Sequence, residues 1–209
     1  MFKRDIEFLF EIGTLRHFVR DWKRVLGMES ASVTEHIFRV AFLALLIARG
    51  EKCADEEKIL KMALMHDIPE IRTGDTGYVQ AVYAKNDENR AIRDMLSETG
   101  FTDFADVLAE YNERKTMAAK IVKDADNLDV DFEIKELGER GSLFPGKAKR
   151  IRRFVRNTKL YTSTAKKMWD ELQKSDPSAW HLKSNKWVQA KREGRRENAE
   201  NRKKKKMVK

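Results

Sequence analysis

Apolar residues recur along most of this chain at helical rather than strand intervals. Phe2, Ile6, Leu9 and Phe10 share one face of a helix with Gly13 near its end. Ser32-Val-Thr-Glu35 matches a capping box, in which the serine and glutamate side chains satisfy free backbone N–H groups at a helix start. The helix it opens, roughly 33–49, is apolar on most sides: Val33, Ile37, Val40, Ala41, Ala44, Leu45 and Ala48. Such a helix belongs at the centre of a bundle. The next, about 55–67, turns Ile59, Leu60, Ala63 and Leu64 inward, and Pro69 stops or bends it because proline lacks an N–H for the helical ladder. Arg72-Thr-Gly-Asp-Thr-Gly77 reads as a loop. Helices follow at about 87–98, 102–111, 115–137 and 147–173, divided by Gly100, the Gly138–Gly146 segment and weaker breaks. No run alternates with period two, no repeat recurs, and no Gly-rich phosphate loop is found. The pattern predicts an all-α fold: one helical-bundle domain over 1–180 and a tail over 181–209.

Composition narrows the class. The 209 residues suffice for one well-buried core, although 37% are charged. The longest apolar run, Val40 to Ala48, is about half the ~20 residues a membrane span needs. The start, MFKRDIEFLFEIG, alternates charge with apolar residues as an amphipathic helix does, unlike a secretory signal. A single cysteine, Cys53, excludes an internal disulfide and fits a reducing compartment, so a cytoplasmic location is expected. The formal charge of +9 is concentrated at one end. From Lys191 onward ten Lys/Arg face three Glu, which leaves +2 for the first 190 residues. The tail EGRRENAENRKKKKMVK has no apolar stripe to bury and reads as disordered or as a frayed helix. It offers a possible contact with nucleic acid. The near-neutral remainder argues against a groove for a polymer.

Four residues on this scaffold suit a metal. His36 opens the central helix, His66 and Asp67 close the next one, and Asp126 lies in KIVKDADNLDV among Ile121, Val122, Ala125 and Leu128. An ionised aspartate on such a face is costly unless it is paired or coordinated. Taken singly, each has an ordinary explanation: a satisfied core histidine, a helix-end cap, or an aspartate bonded to a neighbouring lysine. Two imidazoles and two carboxylates together form a mixed N/O donor set for one divalent ion, without choosing among Mn, Co, Ni, Fe, Zn and Mg. Glu70 follows Asp67 by three residues and would face the same space on a continuing helical turn. It suits holding or deprotonating a metal-acidified water.

The order of these residues resembles the HD-domain phosphohydrolase superfamily, whose pattern is H…HD…D, and in particular its 5'-deoxynucleotidase branch. SASVTEHIFRVAFLALLIA is similar to that branch's first-histidine helix, MHDIPEIRTGD to its HD-x-x-E-x-x-x-G-D segment, and VKDADNLD to its last-aspartate helix. The resemblance implies a metal-dependent phosphomonoesterase acting on nucleoside 5'-monophosphates. HD-type phosphodiesterases, nucleases, triphosphohydrolases and non-catalytic nucleotide-binding modules are the alternatives. It implies Asp126 as the last ligand, with Asp124 as the fallback; the two cannot share a helical face. It also implies that Asp75 bonds the sugar hydroxyl or protonates the leaving oxygen, and that Arg20 and Trp22 grip the phosphate and crowd the sugar's 2' position. In this chain Asp21 separates those two, a departure from the branch. Lys23 and Arg24 read as solvated cations or as helpers of Arg20. Tyr78, Val79, Val82 and Tyr83 wall a base pocket or merely begin a helix. A homodimer through an apolar surface around Trp169 is a further implication, with Trp180 and Trp187 as packing or interface residues.

Overall fold

Two long helices set the frame of the computed structural model, which describes residues 2–26, 30–182 and 194–196. Helix α1 spans Lys3–Gly13 and the short α2 spans Lys23–Leu26; α3 (Val33–Gly50) and α4 (Glu56–Met65) follow. A single turn, α5 (Glu70–Thr73), leads to α6 (Glu88–Leu96), α7 (Phe104–Glu113), α8 (Met117–Glu139), α9 (Phe144–Thr158) and α10 (Ser163–Lys174). Among the described residues there is no strand, only an isolated bridge between Val19 and Ser32. No described helix is long and apolar enough to cross a membrane. Residues 1–173 form one compact unit. The tail expected to be disordered lies outside the described residues, apart from Gly194–Arg196.

The α3–α8 pairing is the most extensive in the fold. Helix α3 starts where its cap dictates: Ser32 Oγ accepts from the Glu35 N–H, and Glu35 Oε2 accepts from the Ser32 N–H at 2.7 Å. Val33, Val40, Ala44, Ile47 and Ala48 of α3 are fully buried, as are Ile121, Val122, Ala125 and Leu128 of α8 and Ile59 and Met62 of α4. Each such large side chain contributes about 1.5–3 kcal/mol relative to exposure.

Helix α8 also buries Asp124, Asn127, Asp129, Asp131 and Glu133. A buried carboxylate is tolerated only with partners, and each has them. Arg152 of α9 forks onto Asp131 at 2.9 and 2.7 Å. Glu133 accepts from the Ala31 N–H at 2.8 Å.

Several expectations change register. The single helix expected over 147–173 is two, because the chain turns between Thr158 and Ser163. Asp124 holds that turn, accepting from the N–H groups of Tyr161 (2.7 Å) and Thr162 (2.8 Å) and from the Thr162 hydroxyl (2.7 Å). The fallback metal ligand is therefore a clamp on the start of α10. Asp124→Ala is expected to destabilise the fold by roughly 1.5–3 kcal/mol, since it strips charged hydrogen bonds from buried donors. Metal content should be unchanged. Denaturant unfolding beside metal analysis checks this, and a loss of metal in a folded variant would contradict the assignment.

Helix α4 buries Ile59, Met62, Ala63 and Met65 but leaves Leu60 at 37% and Leu64 at 44% exposure. In α1 it is Phe8 that packs inward, while Phe2, Ile6, Leu9 and Phe10 face out. In α4 one apolar stripe spreads wider than the surface available to cover it, whereas in α1 the buried Phe8 lies on the other side of the helix from the exposed apolar row. Trp169 is buried in the main core and so is not itself part of an exposed surface, whereas Trp180 is exposed. Trp187 lies outside the described residues.

Candidate metal centre

The end of α4 supplies two donors through a tight reversal. After Met65 the chain descends in short turns, with the Ile68 N–H bonding the Met65 carbonyl and the Glu70 N–H bonding the Asp67 carbonyl, both at 3.1 Å. Pro69 sits directly before α5, where its missing N–H costs nothing. Gly74 then adopts φ +79°, a left-handed conformation that suits glycine, and α5 stops. Arg72 and Thr73, expected in a loop, belong to that last helical turn.

His66 Nδ1 bonds the Ala63 carbonyl at 2.8 Å. A carbonyl only accepts, so Nδ1 carries the hydrogen and Nε2 keeps its lone pair. On α3, His36 Nδ1 meets Asp129 Oδ2 at 2.5 Å; the same logic puts a hydrogen on Nδ1 and leaves Nε2 as the nitrogen that faces the carboxylates. The two Nε2 atoms face each other at 3.3 Å. Asp67 Oδ2 lies 3.3 Å from both. Asp126 Oδ1 lies 3.3 Å from His36 Nε2.

Two Nε2 atoms this close and flanked by carboxylates call for a shared cation, either a proton on His36 or a divalent metal ion. The donor set of His36, His66, Asp67 and Asp126 fits a divalent metal. The first three present donor atoms within 4.8 Å of one another, the one such group found among the described residues.

Charge accumulates here in the absence of an ion. Burial and the neighbouring Asp67 and Asp75 push the Glu70 carboxyl up to about 10, against the pull of Arg20 and His36. Burial raises Asp75 as well. Burial would raise Asp126 too, but Lys123 and the two histidines hold it well below the usual carboxylate range. His36 lies well above the usual imidazole range: burial opposes protonation, and Asp126, Asp129 and Asp67 favour it more strongly. An excess of carboxylates around two imidazoles is the imbalance a divalent cation offsets.

Beside the donors opens a cavity of about 630 Å³. His66, Asp67, Asp126, Glu70, Asp75, Arg20 and Trp22 all reach its wall. Arg20 is buried, with Nη1 at 3.5 Å from both Asp129 and Glu133. One Asp75 oxygen is committed, accepting from the Asp21 N–H at 2.7 Å. Gln80 Nε2 donates to Asp21 Oδ1 at 3.0 Å, and Trp22 meets Tyr78 edge-on at 6.0 Å. Asp21 thus ties the segment carrying Arg20 and Trp22 to the 75–80 loop. Arg24 lines the cavity and pairs with Asp21, and Tyr78 and Val79 also line it, whereas Lys23, Val82 and Tyr83 do not.

Three contributors escape a reading of the sequence alone. Asp129 orients His36 and is itself paired with Arg39 at 3.0 Å; such partners fix a metal-binding imidazole. Lys123 and Tyr111 both bond Asp126 Oδ2, at 2.5 and 3.4 Å, which leaves Oδ1 turned toward His36. The spacing of Lys123, Asp126 and Asp129 by three along one helix is the signal that could have found two of them.

An all-α bundle that gathers histidine and carboxylate donors beside a cavity walled by charged and apolar side chains defines a metal-dependent helical domain of hydrolase type. The family model described as HD domain matches residues 12–169, and this chain belongs to that family. The 5'-deoxynucleotidase HDDC2 of Danio rerio is 28% identical over 161 residues, covering 73% of this chain and 77% of the relative. Its Dictyostelium discoideum namesake is 31% identical over 139 residues, covering 60% and 73%. A conserved hypothetical protein from Pyrococcus furiosus shares the fold with a TM-score of 0.61 at 27% identity, covering 73% of this chain and 97% of that one.

Proposed function

We propose that this protein is a metal-dependent phosphomonoesterase that hydrolyses (deoxy)nucleoside 5'-monophosphates to nucleoside and inorganic phosphate. The observation that carries the reading is the convergence of His36, His66, Asp67 and Asp126 beside a cavity with cations and apolar side chains on its wall. The curated relatives named 5'-deoxynucleotidase favour the deoxy sugar. Those four residues would hold one divalent ion per chain, which would acidify a bound water and supply positive charge for the phosphoryl group.

Glu70 reaches the cavity wall beside Asp67, where it orients the attacking water and takes its proton. Arg20, whose long contacts to Asp129 and Glu133 leave guanidinium N–H groups to spare, neutralises phosphate charge. Asp75 reaches the cavity wall with one oxygen committed to the Asp21 N–H, and its carboxyl bonds the sugar hydroxyl or protonates the departing oxygen. Trp22, braced by Tyr78 and by Phe144 at 6.3 Å, crowds the sugar. The single Cys53 fits a reducing cytoplasm. The homodimer that the resemblance implies would find its apolar surface on α3, where Phe38, Phe42 and Leu46 are exposed at successive turns.

Protein loaded with Co or Mn is expected to release phosphate from dAMP or dTMP, and to leave dATP and bis(p-nitrophenyl) phosphate largely intact. Phosphate assay across the mononucleotides decides it. Turnover of the diester or triphosphate alone, or of no mononucleotide at all, would overturn the reading.

A further inference from the structure

The near-neutral charge of residues 1–190 is a cancellation between two ends of opposite sign. Residues 1–143 hold 21 Lys/Arg against 28 Asp/Glu. Residues 144–173, within the same compact unit, hold nine Lys/Arg against two acids. The reversal is sharpest on α9, FPGKAKRIRRFVRNT, which has six cations and no acid in 15 residues. Two of the six are consumed: Arg152 by Asp131, and Arg156 by Asp170, whose oxygens lie 3.1 and 2.5 Å from its Nε and Nη2. The other four, Lys147, Lys149, Arg150 and Arg153, are exposed and form no ion pair among the described residues.

Helical geometry sorts these four onto the solvent side. Ala148, Arg152 and Val155 are the buried face, spaced by four and three residues. Lys149, Arg150 and Arg153 lie opposite, with Lys147 and the half-exposed Ile151 and Phe154 beside them. Lys149 and Arg153 are one turn apart, close enough to act on neighbouring charges of one ligand. Like charges this close are unfavourable in isolation, and nothing within the described unit relieves them. The chemistry that would do so is a polyanion.

Nucleic acid fits better than an anionic membrane. A helix that lies in a membrane interface needs a continuous apolar face to insert. The apolar face of α9 is turned into the protein, and what remains outside is two partly covered side chains. A phosphate backbone needs only cations to displace its condensed counterions, and an adjacent aromatic such as Phe154 adds a stacking surface. We infer that the exposed face of α9, through Lys147, Lys149, Arg150 and Arg153, docks the phosphate backbone of nucleic acid, separately from the mononucleotide cavity.

The test uses the full chain and a fluorescein-labelled 20-base-pair DNA duplex, with fluorescence anisotropy followed from low to moderate salt. Binding is expected, with affinity falling steeply as salt rises. Changing Lys147, Lys149, Arg150 and Arg153 together to Gln should weaken it at least about tenfold near 0.1 M salt and flatten the log–log salt slope by about 2–4. The variant should keep wild-type helicity and wild-type turnover of dAMP, because none of the four touches the cavity. No binding by the wild type, or undiminished binding by a folded variant that retains the tail, overturns the proposal. Equal, variant-sensitive binding to phosphatidylserine vesicles, with none to DNA, assigns the face to a membrane instead and also overturns it. Absence of dAMP turnover in the wild type, alongside DNA binding that the variant weakens, would count against the cavity reading alone.

Discussion

His66→Ala is expected to leave a folded protein that has lost its metal and, with it, phosphate release from dAMP. His66 offers Nε2 at 3.3 Å from both His36 Nε2 and Asp67 Oδ2, so its removal opens one side of the donor set. Removing a partner that merely orients a ligand costs about 10–100-fold in metal affinity; removing a ligand should exceed that. Metal analysis after purification, with a chelator titration of the Co-loaded protein, gives the comparison. The fold should survive, since the side chain's one other bond is to the Ala63 carbonyl of its own helical turn. Full metal content in folded His66→Ala would remove the basis of the proposed site.

Glu70→Gln separates chemistry from binding. The amide keeps the shape of the carboxylate but accepts no proton, and Glu70 is not among the clustered donors. Metal content should therefore match wild type while turnover falls about 10²–10⁴-fold, the usual contribution of a positioned acid or base. Stability carries an independent signature. The Glu70 carboxyl is pushed up to about 10 by burial and by Asp67 and Asp75, so its ionised form is disfavoured in the metal-free fold. A neutral amide there removes the cost of holding that carboxyl protonated in the fold, and the metal-free variant should melt no lower than wild type. Wild-type turnover by the metal-loaded variant would show that another group accepts the proton.

The main helices are legible because their signals are local. Ser32 and Glu35 cap α3 across three residues, and the apolar faces of α3 and α8 repeat at helical intervals. His36, His66, Asp67 and Asp126 are legible for a different reason: their order along helical segments follows a known pattern. Their approach to one another could not be read from order alone. The α9–α10 break escapes notice because Val155, Ala165 and Trp169 continue an apolar series across it, and the clamp that makes the turn is Asp124, 38 residues away.

By itself the sequence determined the helical class, the caps, and the residue types available for metal chemistry, since each depends on neighbours within one or two turns. Only the tertiary structure decided which apolar stripe faces inward, that Asp126 and not Asp124 turns toward the histidines, and that Asp129 reaches His36 across 93 residues. Helix periodicity fixes which side chains share a face. Which of several faces is buried, and against what, depends on covering surface supplied by distant parts of the chain, and no local pattern encodes it.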